Sequence, residues 1–392
     1  MALPLAYPLR NLAHRRLRTA LTVAVVALVV IATTLFLALV SSLRRTLVST
    51  GSEQNLIVLR KGSDNDGSSQ IPLEAYQTLR FFDGIAKDAE GEPLVSPELV
   101  VQPFFFRPDG GRENVLVRGV EAPALGVHDE VRIVEGRMLV PSQGEAVLGQ
   151  GVARRYSGTA LGGEMKFGRR TWKVVGILDS GGSSFESEVW VDARDLANDA
   201  KRPIPYSGLR LKLAAGADPD ALMRRIEDDP RWALEAKPET EYYAKQAESA
   251  NTLYGLVVGL AVLAGIGAVF GATNTMYAAV QARIAEIGTL RALGFSRGSV
   301  LVAFLVESVA IAGLGLLVGV AVAWPLGLLV SKALGGIGFG AATFSTNVIT
   351  LRVGAFDVAM AALLAAAIGL AGGLAPAWRA AQLRPVDALR KG

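Results

Sequence analysis

With 392 residues, 51% hydrophobic and only 19% charged, the chain falls short of the roughly 25% charge of an ordinary soluble domain and belongs to a membrane class. Its net charge of +4 comes from basic residues gathered at the ends of apolar runs; they do not lie on an aromatic-rich face, which excludes nucleic acid as a partner. The lack of cysteine rules out disulfides and thiolate metal sites.

In chain order, Arg10, His14, Arg15, Arg16 and Arg18 precede the first apolar run, Leu21–Val40, which carries no charge. Leu253–Val280 is also uncharged, Ser299–Val330 holds only Glu307, and Ala355–Ala377 only Asp357. A hydrocarbon core about 30 Å thick needs roughly 20 apolar residues as helix, so four spans are expected, at 20–43, 251–280, 299–330 and 355–377. The first run is longer than a signal-peptide core and no A-x-A site follows, so it reads as an uncleaved anchor. Basic residues also cluster in 281–298 (Arg283, Arg291, Arg297) and in the tail 378–392 (Arg379, Arg384, Arg390, Lys391). The positive-inside rule places these and both termini in the cytoplasm; Arg44 and Arg45 run against it but open a long domain, where the rule is weak.

Residues 44–250 differ in character and are expected to form an α+β domain outside the membrane, with room for two lobes. Asn55–Leu59, Leu99–Phe106, Asn114–Val120, Thr171–Leu178, Glu188–Val191 and Gly208–Leu213 read as strands. Pro72–Arg80, Ala193–Asn198 and Pro219–Asp228 read as helices, and Asp109–Gly111 as a hairpin turn. Glu239–Ser249 has helix formers and no Gly or Pro, and runs straight into the second span. The first span has no breaker before Gly51. Both helices are therefore expected to project beyond the bilayer as a stalk. Residues 331–354 read as a short Gly-rich loop.

No G-x-x-x-x-G-K-[ST] occurs, so these residues cannot bind ATP by a P-loop. The two histidines, His14 and His128, fall on opposite sides of the membrane, and His128 in GVHDE reads as a surface residue. Neither an enzyme active site nor a metal site is expected. Pairs of glycines four apart, Gly255 and Gly259, Gly267 and Gly271, Gly315 and Gly319, Gly369 and Gly373, suit close helix packing within the subunit or across a dimer. Glu307 lies about two turns inside the third span. An ionisable residue there is costly and needs a reason; it reads as a structural anchor for the neighbouring segment.

That segment, RIAEIGTLRALGFSR (Arg283–Arg297), reads as a helix. Ile284, Ile287, Leu290 and Leu293 cover about half of its wheel, with Arg283, Glu286 and Arg291 interleaved. A lipid-resting helix would separate its faces; interleaving suits contact with protein on more than one side. Gly294 stands where a C′ glycine ends a helix, and Ser296 or Ser299 can cap the next.

The pattern Arg283-x-x-Glu286-Ile287-Gly288-x-x-Arg291-Ala292-x-Gly294, followed by Phe304-x-x-Glu307-Ser308, resembles the signature of FtsX/MacB/LolC-type permeases of ATP-binding cassette (ABC) transporters. Pro376–Arg390 resembles that family's tail. Leu9–Thr22 resembles its N-terminal cytoplasmic amphipathic helix, placed here at 1–19. The resemblance implies that Arg283, Glu286, Ile287, Gly288, Leu290, Arg291, Ala292, Leu293 and Gly294 form a coupling helix docking on an ABC ATPase. Two copies of the ATPase would bind ATP and Mg, and this chain would hold no cofactor. Because no ATPase segment occurs here, that subunit is expected to be a separate polypeptide.

A second permease subunit is also implied, a homodimer in preference to a heterodimer, in contact with membrane lipid in a bacterial inner membrane. ATP-driven movement of the stalk and its periplasmic domain, mechanotransmission, would drive efflux of a periplasmic substrate, with a periplasmic adaptor and outer-membrane channel as further partners. Two alternatives stand beside this: release of lipoproteins from the inner membrane, and signalling to an extracytoplasmic hydrolase without transport.

Overall fold

Four apolar runs too long for a soluble core become four long helices. The computed structural model describes residues 16–108, 110–203, 205–333, 337–340 and 346–384. Most of the expected N-terminal helix, the tail from 385 and Asp109 of the expected turn lie outside the described residues. Helix α1 runs Arg16–Val48. The domain then follows as β1 (Asn55–Arg60), α2 (Leu73–Leu79), β2 (Val95–Val101), β3 (Phe104–Phe106), β4 (Arg112–Asn114), β5 (Leu116–Val120), α3 (Ala124–Val127) and β6 (Arg132–Gly136). It continues with β7 (Glu145–Gly149), α4 (Gln150–Arg155), β8 (Glu164–Phe167), β9 (Arg170–Asp179), a 3-10 turn Ser184–Ser187, β10 (Glu188–Asp192), α5 (Ala193–Ala200), β11 (Gly208–Lys212), α6 (Pro219–Glu227) and β12 (Leu234–Pro238). Helix α7 (Glu239–Gln281), α8 (Ile284–Ala292), α9 (Arg297–Ala333), β13 (Ile337–Gly340), β14 (Thr346–Ile349) and α10 (Ala355–Gln382) complete the order.

One sheet in the order β12-β1-β11-β2-β5-β10-β7-β9-β6 runs through the domain, with β8 on β9. Pairing is antiparallel except where β5 meets β10 and β7 meets β9. In place of two separate lobes, there are distinct packing centres on one sheet. Leu56, Val58, Leu79, Tyr206 and Leu209 form one; Leu99, Val117, Leu148, Phe167 and Trp172 form another. The period-2 alternation of β1 shows how its sequence does this: Leu56 and Val58 join the first centre, whereas Ile57 and Leu59 pack with Tyr242 and Tyr243 of α7. Asp218 accepts from the amides of Asp220 and Ala221, with Pro219 at the first helical position, so α6 starts where a cap and a proline dictate.

Two sequence expectations change. Leu99–Phe106 and Asn114–Val120 are each divided, because Pro103 cannot donate to a ladder; the pieces β3 and β4 leave the sheet as a separate hairpin. The 331–354 loop contains a hairpin, Ile337 pairing with Ile349 and Gly340 with Thr346. Its glycines lower strand propensity and hid the signal.

The second unit holds α8 and the greater part of the four long helices, α1 to Ser41, α7 from Thr252, α9 to Leu329 and all of α10. Val26 and Val30 of α1, Ala268 and Ala272 of α7, Ala312 of α9, and Ala361, Ala365 and Ile368 of α10 meet in one cluster. Each helix is long and apolar enough to cross a membrane, and the chain is a multi-pass membrane protein.

Candidate coupling site

Nine residues, Ile284–Ala292, form α8 between the second and third spans. A Schellman motif ends it: the Gly294 amide donates to the Arg291 carbonyl at 3.2 Å and the Phe295 amide to the Leu290 carbonyl at 3.2 Å. Gly294 adopts φ +94°, where a side chain would strain the backbone. Arg291 closes the same turn, Nη1 donating to the Phe295 carbonyl at 2.9 Å. Ser296 Oγ then accepts the Ser299 amide at 3.1 Å and caps α9. Turn and cap fix where α8 stops and α9 starts.

One side of α8 is held by its own chain. Ile287 is 2% exposed and packs with Met276 and Val280 of α7, Val300 and Phe304 of α9, and Ala377 and Ala380 of α10. Gly288 is buried beside it, whereas Ile284, Leu290 and Arg291 are half-buried. Glu286, Ala292, Leu293 and Gly294 face outward, Leu293 at 67% exposure.

The residue before α8 ties it down. Arg283 Nη1 donates to Glu307 Oε2 at 2.8 Å, and both side chains are buried. A cavity of about 40 Å³, lined in part by Thr19, Thr22, Thr275 and Ser308, lies beside the pair. The next residue after Glu307, Ser308, donates to the Gly369 carbonyl at 2.7 Å and so fixes α9 against α10. A buried pair of this kind locks geometry more than it adds stability, and losing one partner is costly.

The glycines divide into two groups. A Cβ on Gly315 would lie 2.7 Å from Val26, and one on Gly319 2.5 Å from Val30, so α9 meets α1 at contact distance. Gly369 and Gly373 approach Val309, Ala312 and Ser308 of α9 in the same manner. Gly255, Gly259, Gly267 and Gly271 on α7 have nothing within 4 Å of such a Cβ.

A second constellation, in the domain, was not legible in the sequence. His128 is buried, not exposed as GVHDE suggested; its Nε2 lies 2.7 Å from Glu98 Oε1, and it packs edge-on against Phe185. Arg118 binds Glu188 through Nε and Nη2, both at 2.6 Å, and Glu98 through Nη1 at 2.6 Å. Arg210 also donates to Glu98, reaches Glu239 of α7 at 3.1 Å, and lies 3.3 Å from Asp66. Burial, the largest single influence, would lower the His128 pKa, but the charge and hydrogen bond of Glu98, with Glu130 and Glu239, together outweigh it and raise it to about 9. Burial would likewise raise Glu98, yet Arg210 and Arg118 hold it well below the usual carboxylate range. The available signal was a charge inside each apolar strand: Glu98 in β2, Arg118 in β5, Arg210 in β11. This cluster holds its charges by mutual pairing, and among the described residues no group of three His, Asp or Glu can hold a metal.

Comparison with known proteins bears on both units. Residues 19–229, more than half the chain, match the family described as MacB-like periplasmic core domain. Residues 258–385 match the FtsX-like permease C-terminal family. The chain is 25% identical over 414 residues to the macrolide export ATP-binding/permease protein MacB of Bradyrhizobium diazoefficiens, covering 98% of this chain and 59% of that one. It is 29% identical over 266 residues to the pyoverdine export ATP-binding/permease protein PvdT of Pseudomonas aeruginosa, 62% of this chain and 37% of the relative. Over 140 residues it is 34% identical to the uncharacterized ABC transporter permease YknZ of Bacillus subtilis, 36% and 31% of the two chains. It spans little more than half the length of the MacB relative. Among solved structures, the periplasmic region of MacB from Actinobacillus actinomycetemcomitans aligns with a TM-score of 0.39 and 12% identity, covering 51% of this chain and 94% of that one.

Proposed function

Because the chain belongs to the FtsX/MacB-type family of ABC-transporter permeases, we propose that it converts ATP hydrolysis on an ABC ATPase into movement of its extramembrane domain. On this reading the domain is periplasmic, α8 faces the cytoplasm with both termini, and the membrane is a bacterial inner membrane. The ATP-binding component lies outside these 392 residues and is present in two copies. Movement of the domain drives export of a small molecule from the periplasm; two of the relatives are named for macrolide and pyoverdine export.

The observation that carries this reading is helix α7. Its first residue, Glu239, is bound by Arg210 in the domain's charge cluster. Its last, Gln281, stands two residues before Arg283, which is anchored on Glu307. One unbroken helix of 43 residues thus carries both an attachment to the domain and the lead-in to α8, and a helix transmits displacement along its axis. The open glycine face of α7 suits a second permease subunit, with a homodimer preferred. A periplasmic adaptor and an outer-membrane channel complete the export route.

The test is co-purification with the cognate ATPase. The wild-type chain should retain it and raise its ATP turnover, whereas Leu293→Asp, which touches no core cluster, should lose both. Undiminished stimulation by Leu293→Asp together with Glu286→Lys would sink the assignment of α8.

A further inference from the structure

The 3-10 turn Ser184–Ser187 has more to do than join β9 to β10. Ser183 caps it, its Oγ accepting the Phe185 amide at 3.3 Å and lying 2.6 Å from Ser180 Oγ. Gly149 packs directly on the Glu186 carbonyl, leaving no room for a side chain. Thus the turn is held in one shape.

Two connections reach it from outside the sheet. Thr50, two residues beyond α1 and 1% exposed, accepts the Ser184 amide at 2.9 Å, and its Oγ1 lies 2.9 Å from Ser184 Oγ. Val348 of β14, in the segment between α9 and α10, donates its amide to Ser187 Oγ at 2.8 Å. Its side chain also packs at Gly151, where an added Cβ would meet both Val348 and the Glu186 carbonyl.

A third connection joins just beside Thr50. The Ser52 amide donates to Glu239 Oε2 at 3.2 Å, and Asn55 Nδ2 donates to the same oxygen at 3.0 Å, at the first residue of α7. Inward, Phe185 is fully buried against His128 and Trp190, with the Arg118 guanidinium 5.4 Å from its ring. The residue after the turn, Glu188, is the bidentate partner of Arg118, and Trp190 Nε1 donates to it at 3.2 Å. The outer connections of α1, α7 and the α9–α10 hairpin therefore converge on one turn and one charge cluster.

We propose that the turn Ser183–Ser187 is a conformational relay, through which displacement of α1 and of the α9–α10 hairpin reaches the Glu98–Arg118–Arg210 cluster and reorients the domain. The design fits bistable transmission: short, satisfied polar contacts have few alternative arrangements, so a small displacement breaks and remakes them as a set. Coupling through such a chain requires a demonstrated effect on both ends, and the two hydroxyls supply the means.

This inference rests on the movement proposed above, and one experiment separates the two. The chain has no cysteine, so Phe356→Cys at the start of α10 and Lys166→Cys in the domain, both exposed and in different units, take spin labels cleanly. Their distance would be measured by pulsed electron resonance in the full chain reconstituted with its ATPase, without nucleotide and with ATP trapped. The wild type should show a nucleotide-dependent shift in the distance. Thr50→Val and Ser187→Ala should lose the shift while ATP hydrolysis continues, and Thr50→Ser and Ser187→Thr, which keep the hydroxyls, should restore it. A normal shift in Thr50→Val and Ser187→Ala would overturn the relay and leave the proposed function standing. No shift in the wild type would overturn both. Loss of folding in either variant would make its contact purely structural and overturn the relay as well.

Discussion

Replacing Arg283 with Met should release α8 from its seat without unfolding the bundle. Arg283 and Glu307 are 7% and 6% exposed, and their pair is bound at 2.8 Å. Removing the guanidinium leaves Glu307 buried without that partner, a change that costs about 3–5 kcal/mol in comparable sites. The cost falls first on α8, because its other seat is essentially the single side chain Ile287. A local loss of about 3 kcal/mol corresponds to roughly a hundredfold faster opening. Hydrogen exchange of the amides of Ile287–Leu293 in the detergent-solubilised protein would read it, with the amides around Ala361–Ile368 as an unaffected reference. Arg283→Met with Glu307→Leu should recover most of the protection, since an apolar pair of similar volume is commonly neutral or better than the ion pair. If the double variant opens as fast as the two single losses added together, the pair does not hold α8 and the reasoning fails.

Raising the pH should weaken the domain through His128. Its folded pKa of about 9 stands above the ordinary 6.5, so the stabilisation is complete below 6.5 and is lost as pH rises through about 9, on the order of 3 kcal/mol in all. Thermal midpoints followed by tryptophan fluorescence between pH 6 and 9.5 should fall in the wild type and stay flatter in His128→Gln; equal slopes would remove His128 as the cause. In the bundle, Gly319→Val should lower the melting temperature by overpacking against Val30 and Ala27, about 1–3 kcal/mol. Gly313→Ala, with open space around it, should not.

How far the sequence could be read depended on the range of the interaction involved. The four spans were visible because hydrophobic length is a property of consecutive residues, and Leu253–Val280 shows it without any partner. The end of α8 was visible for a similar reason, since Gly294 acts within its own turn. By contrast, His128 sits in a polar stretch, and what buries it is Phe185 and Trp190, close to sixty residues away. Charges at Glu98, Arg118 and Arg210 are unremarkable singly; only the adjacency of β11, β2 and β5 brings them together. The four glycine pairs look alike in sequence, yet two face close neighbours and two face open space, because helix rotation is set by tertiary packing. The hairpin β13–β14 was missed because its pairing is a backbone matter that its glycines disguise.

The abrupt end of α8 has one more consequence. A helix advances 100° per residue, and here its two boundaries are fixed, by Arg283 on one side and by Gly294 and Ser296 on the other. Its angular phase is therefore set by the number of residues between those stops. Point changes on the outward face alter what is displayed, but one inserted or deleted residue would turn Leu293 to a different bearing while Ile287 stayed seated. For this segment, residue count is as much a determinant as residue identity.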